Sequence, residues 1–539
     1  MALSIIFGQE AAIIGDIQAN CTRILNAIQT AKKQGADMIL FPEMALSGYP
    51  LEDLLFKKSL YRQVETALLK IQHAADTIAV VIGHPSQKDD KRYNSASVFY
   101  QQQSLCLYHK QCLPNESVFD EKRYFCSGTN PGVFDFKGVR FGILICEDAW
   151  HDAPCNSLLE QKPQCILSIN ASPFFVNRQH DRHNVASKLT RKSKTPLLYV
   201  NACYGQDELI FDGTSFAQDA SGELVYQAPF CQSGLYPIKF DPSNCAIAPV
   251  NPSIAFPKPL EQINQALIFS LRAYMQSTPL KGVVIGLSGG IDSGLSLSLA
   301  VEALGADRVQ AVMLKTAYTS AISLEDAKAL SHALKVRYQE IDIEPSLEQF
   351  HQGLQADQKP LHDITLENLQ ARTRAVYLMA FANNQSAMVL NTSNKSELAV
   401  GYGTIYGDMI GGFSILKDLY KTQVYQLARY RNQENPHIPI RMIERAPSAE
   451  LKPNQTDQDT LPAYDILDQI IQAYLQHQDP SALIKDGIDA TLVQDTISRI
   501  QKNEFKRKTA AIGPRLSNHA FGKDWRMPIM QGFNGDTDE

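Results

Sequence analysis

The chain has 539 residues, 44% of them hydrophobic and 20% charged, with a formal net charge of −6. This is the composition of a globular protein of two or three domains, not of a disordered chain. The acidic balance argues against nucleic acid as a partner. Ten cysteines without a single CxxC pair exclude ribbon-type structural zinc and a dense disulfide scaffold. The first ten residues, MALSIIFGQE, lack the basic start and long apolar core of a signal peptide. No apolar run approaches the roughly 18 residues of a membrane span. A reducing, cytoplasmic setting without a membrane partner is therefore expected.

In chain order, Ile17, Cys21, Ile24, Ile28 and Ala31 recur at helical spacing, with Gly35 as the C-terminal cap. Buried strands are predicted at 38–41, 78–82, 141–145, 165–169 and 197–200. Each leads into a loop with polar residues, and chemistry in open α/β sheets collects at such carboxyl ends. Between 236 and 259 lie Pro237, Pro242, Pro249, Pro252, Pro257 and Pro259, a density that opposes helix and central strand. A surface linker at 241–261 is expected, separating a first domain, 1–240, from a second, 262–539. A helix follows, marked by Ile263, Leu267, Leu271 and Tyr274. Strands at 283–287, 309–314, 338–343 and 387–391 then alternate with helices at about 293–304 and 366–383. Strict alternation implies a parallel, doubly wound sheet. The polar end, 532–539, is expected to be frayed.

Three motifs fall at element ends in the first block: Phe41-Pro42-Glu43, Tyr108-His109-Lys110 and Cys146-Glu147-Asp148. Amide hydrolysis needs a nucleophile, a base, and a cation near the developing oxyanion. Cys146, Glu43 and Lys110 are those residue types, with Glu43 taking the thiol proton and returning it to ammonia. The arrangement resembles the nitrilase superfamily over roughly residues 3–235, and that resemblance implies an αββα sandwich with a Glu-Lys-Cys triad. Through its glutamine-using members it also implies Glu116, Ser172 and Arg178 as glutamine contacts. The other nine cysteines read as small buried hydrophobes. The run His180-Asp181-Arg182-His183 reads as surface charge in a loop and not as a metal site.

In the second block, strand 282–287 runs into Ser288-Gly289-Gly290-Ile291-Asp292-Ser293. Paired glycines permit a tight turn whose N–H groups approach phosphate, and the helix that follows adds its dipole. No lysine stands where a Walker A loop requires one. The pattern resembles the PP-loop of ATP pyrophosphatases, which adenylate an oxygen and let a nitrogen or sulfur nucleophile displace AMP. Later motifs, Asn391-Thr392-Ser393-Asn394-Lys395-Ser396-Glu397, Tyr406-Gly407-Asp408 and Pro447-Ser448-Ala449-Glu450-Leu451, make residues 262–526 similar to the NAD synthetase family. By that resemblance Gly286, Leu287, Ser288, Gly289, Gly290, Ile291, Asp292, Ser293, Thr392 and Lys421 would bind ATP. Asp292 and Glu397 would hold Mg2+, and Asn368, Arg372, Glu397 and Lys506 would hold deamido-NAD. Where single-domain members carry Lys and Asp, this chain has Ile405 and Gly412, which leaves the pyridine-ribose contacts open.

The two halves together imply a two-domain amidotransferase that takes ammonia from glutamine. It would use ATP and Mg2+, act on small-molecule substrates, and form a homo-oligomer. A ligase with the same halves but another acceptor acid stays open. A non-catalytic binding protein is disfavoured by an intact triad and an intact PP-loop.

Overall fold

The computed structural model describes residues 2–252, 254–354, 361–453 and 455–532. It comprises two compact units, Met1–Gln262 and Ile263–Glu539. The end expected to fray lies, from residue 533 on, outside the described residues.

The first unit stacks two sheets. One runs, edge to edge, Ala246–Pro249, Gly234–Asp241, Leu3–Gln9, Met38–Leu40, Ala79–Lys88, Lys91–Tyr100 and Gln103–His109. The other runs Leu224–Gln227, Phe216–Gln218, Leu197–Asn201, Cys165–Asn170, Val139–Ile145 and Gly132–Phe136. Side-chain alternation sorts each strand's residues into two layers. Ile5, Phe7, Leu40 and Val81 meet Phe141, Ile143, Leu167 and Val200 between the sheets. Ile6, Ile39, Val80 and Ile82 face the other way, against the helices Ile17–Lys33 and Lys58–Ala74. Leu144, Ile166 and Leu197 pack under the helices Asp152–Leu159 and Arg178–Ser193. The predicted αββα sandwich is this arrangement.

The proline-dense stretch departs from expectation. Pro237 lies inside the interior strand Gly234–Asp241, opposite Ile6, and Pro249 closes the edge strand Ala246–Pro249. The reading of 236–259 as free of strand is corrected. The edge strand pairs only with Ile238 to Asp241, so at Pro237 one side of the strand is already open. A residue without an N–H is tolerated at such a position. Pro259 heads the helix Pro259–Gln276, where a missing N–H is also harmless.

The second unit holds a five-stranded, all-parallel sheet in the order Arg337–Asp342, Val309–Lys315, Val283–Gly286, Met388–Asn391, Phe413–Ser414. The chain starts in the middle, winds to one side, then crosses to the other. The reversal falls between Val283–Gly286 and Met388–Asn391, and ligands bind beyond the carboxyl ends at such a switch point. The helix after the first strand is Ile291–Leu304, two residues longer at its start than the motif suggested, and almost wholly buried. The predicted doubly wound sheet is thus present.

Candidate active sites

Glu43, Lys110 and Cys146 converge at one end of the sandwich. Each follows a strand end, and two of the three need a neighbouring glycine. Gly83 lets the Glu43 turn pass so close that a Cβ there would lie 2.4 Å from Met44 N and 2.6 Å from Glu43 Cα. Gly128 gives the same room beside His109, where a Cβ would lie 2.1 Å from the carbonyl oxygen. Lys110 Nζ donates to Glu43 Oε1 at 2.8 Å and to Glu121 Oε1 at 3.0 Å, with all three side chains buried. Asn94 Nδ2 donates to both carboxylates, at 2.7 and 3.2 Å, and Ala171 N–H donates to Glu43 Oε2 at 2.7 Å.

Cys146 opens a short 3₁₀ turn directly after Val139–Ile145, with φ at +45°. A non-glycine residue held left-handed carries strain of about 1 kcal/mol or more, and such strain gathers at functional sites. Burial pushes the Cys146 thiol well above its ordinary value; Glu43 adds to this and Lys110 opposes it. The resting nucleophile is therefore a thiol, and its proton must leave during the reaction. Burial pulls the Lys110 ammonium down, but Glu121 and Glu43 outweigh it and hold the group well above the usual lysine value. Lys110 is thus a fixed cation throughout the working pH range.

Of the residues expected to hold glutamine, Ser172 follows Ala171, whose N–H bonds Glu43, Arg178 interacts electrostatically with Cys146, and Glu116 is exposed. Ser172 is clamped: Arg182 donates to its hydroxyl at 3.1 Å and to its carbonyl at 2.7 Å, and Asn201 accepts its N–H at 2.9 Å. The Arg178 guanidinium lies 4.4 Å over the Trp150 ring and 5.3 Å from that of Phe175. The run 180–183 is corrected from a loop to a helix. Only His180 is fully exposed there, while Arg182 is buried and paired with Asp212 at 2.9 Å. Sequence reasoning missed Glu121. Within the charged run Asp120-Glu121-Lys122-Arg123 nothing marks it as the one that is buried. Burial, opposed by Lys110 and reinforced by Glu43, pushes Glu121 up to about 7.

In the second unit a cavity of about 280 Å³ opens at the switch point. Gly289 turns the loop at φ +81°, and a Cβ on it would lie 2.5 Å from Ser323 O. Ser293 Oγ meets Ser288 Oγ at 3.1 Å, and Ser288 Oγ accepts from Gly290 N at 3.2 Å, which braces the turn. Thr392, Glu397 and Lys421 line the same space. Lys421 Nζ pairs with Asp292, and with Glu397 Oε1 at 3.4 Å. Burial first and Asp292 second push the Glu397 carboxyl up to about 8. Two carboxylates that repel each other and share one cation form a donor set suited to a divalent metal. Glu450 of the 447–451 motif lines the cavity too, as do Arg374 and Arg445, which the sequence does not single out.

Asn368, Arg372 and Lys506 gather elsewhere, around one loop. Thr404 Oγ1 donates to Asn368 Oδ1 at 2.7 Å, Arg372 Nε to Ile405 O at 3.2 Å, and Lys506 Nζ to Gly401 O and Gly403 O at 2.8 and 2.9 Å. That loop's Tyr402, Gly407 and Asp408 reach the cavity wall.

Residues 9–247 match the carbon-nitrogen hydrolase family and residues 263–510 the NAD synthase family. The chain is 44% identical to the glutamine-dependent NAD(+) synthetase of Acinetobacter baylyi, across 99% of each chain. It belongs to the glutamine-dependent NAD(+) synthetases. The solved glutamine-dependent NAD+ synthetase of Acinetobacter baumannii, in complex with adenosine diphosphate, is 40% identical over 98% of both chains, with a TM-score of 0.80. That of Cytophaga hutchinsonii, at 21% identity over 98% of both, shares the fold with a TM-score of 0.86. As a member of the synthetase family the chain is an ATP-using ligase acting on small molecules.

Proposed function

We propose that this chain makes NAD from deamido-NAD, ATP and glutamine, with residues 1–240 hydrolysing glutamine and residues 262–539 carrying out synthesis. The observation that carries the reading is a buried Glu43–Lys110 pair beside Cys146 in one unit, combined with a PP-loop cavity in the other.

Glu43 takes the Sγ proton of Cys146 as the sulfur attacks the glutamine carboxamide carbon. Lys110 donates to the oxygen as it becomes an oxyanion. Glu43 then passes the proton to the departing ammonia, leaving a thioester. Water, deprotonated by the same Glu43, cleaves it to glutamate, and the proton passes from Glu43 to the departing Cys146 Sγ, restoring the thiol. Ser172 and the Arg178 guanidinium hold the amino-acid end of glutamine. Glu116 does so only if its exposed loop closes on the substrate.

In the cavity the PP-loop residues Gly286 to Ser293, with Thr392 and Lys421, hold ATP. The pyridine carboxylate of deamido-NAD attacks the α-phosphorus and expels pyrophosphate. Ammonia then displaces AMP and loses a proton. Asp292 and Glu397 would hold Mg2+, which supplies charge neutralisation at the phosphates. Lys421, released from those carboxylates, pairs with the departing pyrophosphate. Asn368, Arg372 and Lys506 shape the 401–408 loop against the dinucleotide. No helix among the described residues is long and apolar enough to cross a membrane, and we assign the enzyme to the cytoplasm.

The test is product analysis with ATP, Mg2+ and glutamine against a panel of acceptor acids. NAD, AMP, pyrophosphate and glutamate should form with deamido-NAD alone. AMP release with another acid, and none with deamido-NAD, would replace this reading by that of a different amidating ligase.

A further inference from the structure

Asp148 touches no reactant in this scheme, yet it is fully buried beside the triad. Its carboxylate accepts four hydrogen bonds from two stretches of chain far apart in sequence. Oδ2 accepts from Tyr108 OH at 2.7 Å and from Ile145 N–H at 3.1 Å. Oδ1 accepts from Gln111 N–H at 3.0 Å and Cys112 N–H at 2.8 Å. Ile145 is the residue before the nucleophile, and Tyr108, Gln111 and Cys112 flank Lys110. The strand bearing Cys146 and the strand bearing Lys110 belong to different sheets of the sandwich. Nothing in the ladder of either sheet fixes one against the other, whereas this one side chain bonds both.

We propose that Asp148 is the positioning residue that sets the Cys146 nucleophile against the Lys110 ammonium across the sandwich. The proposal rests on the amidase reading above. The clamp has two jaws. On one side, the bond from Ile145 N–H closes the 3₁₀ turn that keeps Cys146 at its left-handed φ. On the other, two consecutive N–H groups immediately after Lys110 are tied to a single oxygen, which fixes the backbone from which the lysine projects. Tyr108 supplies the fourth bond and is itself pressed into place by Gly132, where a Cβ would lie 2.7 Å from its ring. Oxyanion stabilisation depends on donor placement at the ångström level, and a misplacement of about 1 Å costs about 100-fold in rate.

Asp148→Asn tests this, because the amide keeps the volume but turns a donor toward Tyr108 OH or Ile145 N–H. Glutamine hydrolysis is measured on variants shown to be folded by circular dichroism and a cooperative thermal melt, and ammonium-driven NAD synthesis reports the rest of the chain. The expected result is a fall in kcat of about 100-fold with KM within about threefold of wild type and ammonium-driven synthesis retained. Tyr108→Phe, which removes one of the four bonds, should lower kcat by about tenfold with the same constant KM. If Asp148→Asn does not fold, Tyr108→Phe decides alone. An unchanged kcat in a folded variant, or a loss confined to KM, overturns the positioning role. Absence of glutamine hydrolysis in the wild-type chain would instead overturn the amidase reading itself.

Discussion

In the amidase unit the reacting groups already touch one another, at 2.8 Å between Lys110 and Glu43, and hardly any of their surface meets solvent. In the synthetase unit the comparable groups line an open cavity of about 280 Å³, and Lys421 is paired with the very carboxylates that would hold the metal. The difference follows from what each site must admit. One carboxamide needs little room, and a covalent mechanism gains most from geometry fixed in advance. A nucleotide, a dinucleotide and a metal need space and mobile counter-charge, and here a lysine is paired with the two carboxylates. A prebuilt site should be intolerant of small shifts; an open one should depend on individual charges.

The largest effect expected is from Cys146→Ala. Glutamine-driven NAD synthesis should fall by about 10⁴-fold or more, as for loss of a covalent nucleophile. Synthesis from added ammonium should persist, and rise with pH as more free ammonia is present. Equal loss of both activities in a folded variant would break the division between the units. Next is Lys421→Ala, expected to slow pyrophosphate release by about 100-fold or more from either nitrogen source, since a charge facing the phosphates is removed. A change seen with glutamine alone would place Lys421 outside the phosphate site.

Smaller still, but sharper as a contrast, is a pair of added methyl groups. Gly83→Ala and Gly289→Ala each force a Cβ to about 2.5 Å from backbone. Overpacking of this kind costs typically about 1–3 kcal/mol. Gly83→Ala should lower glutamine hydrolysis by about tenfold and leave ammonium-driven synthesis; Gly289→Ala should lower synthesis from either nitrogen source by about as much and leave glutamine hydrolysis. Thermal melts read the stability cost, and the two assays read the site. A Gly83→Ala enzyme with normal hydrolysis would mean that the Glu43 turn has freedom the geometry denies it.

Much of this was legible in the chain because period and order carry fold class. Strand–helix alternation gave the parallel sheet, and the strand-end motifs at Glu43, Lys110 and Cys146 were visible as motifs. What stayed hidden was tertiary. Glu121 is chemically identical to Glu116, five residues earlier, until folding buries one against Lys110 and leaves the other in water. Arg182 reads as surface charge within a charged run, because only the fold supplies Asp212. Pro237 opposes a strand by local rule and sits in one because its neighbour strand ends a residue short. Gly83 and Gly128 look like any strand or loop glycine until another backbone crosses them.

The smallest effect concerns the charge each site stores at rest, and it links the two units again. Glu121 is pushed up to about 7 by burial, with Lys110 opposing and Glu43 reinforcing the shift, from an ordinary 4.5. In that interval the folded state keeps a proton that the unfolded state has already released. The unfolding free energy changes with pH as the protons bound by the unfolded state minus those bound by the folded, and here that difference is negative. The contribution is therefore complete below about pH 4.5 and is lost as pH rises through 7. Glu121→Gln retains an oxygen for Lys110 but cannot ionise, so the decline in the amidase unit's melting temperature between about pH 5 and pH 7 should flatten. Glutamine hydrolysis should fall less than in Glu43→Gln, because the base that moves the proton is still present. Parallel declines in the wild type and Glu121→Gln would mean that Glu121 is ionised throughout, with Lys110 compensating it fully. In that case the buried amidase cluster would carry one more negative charge at rest, and would resemble the Asp292–Glu397–Lys421 set more closely than its tight packing suggests.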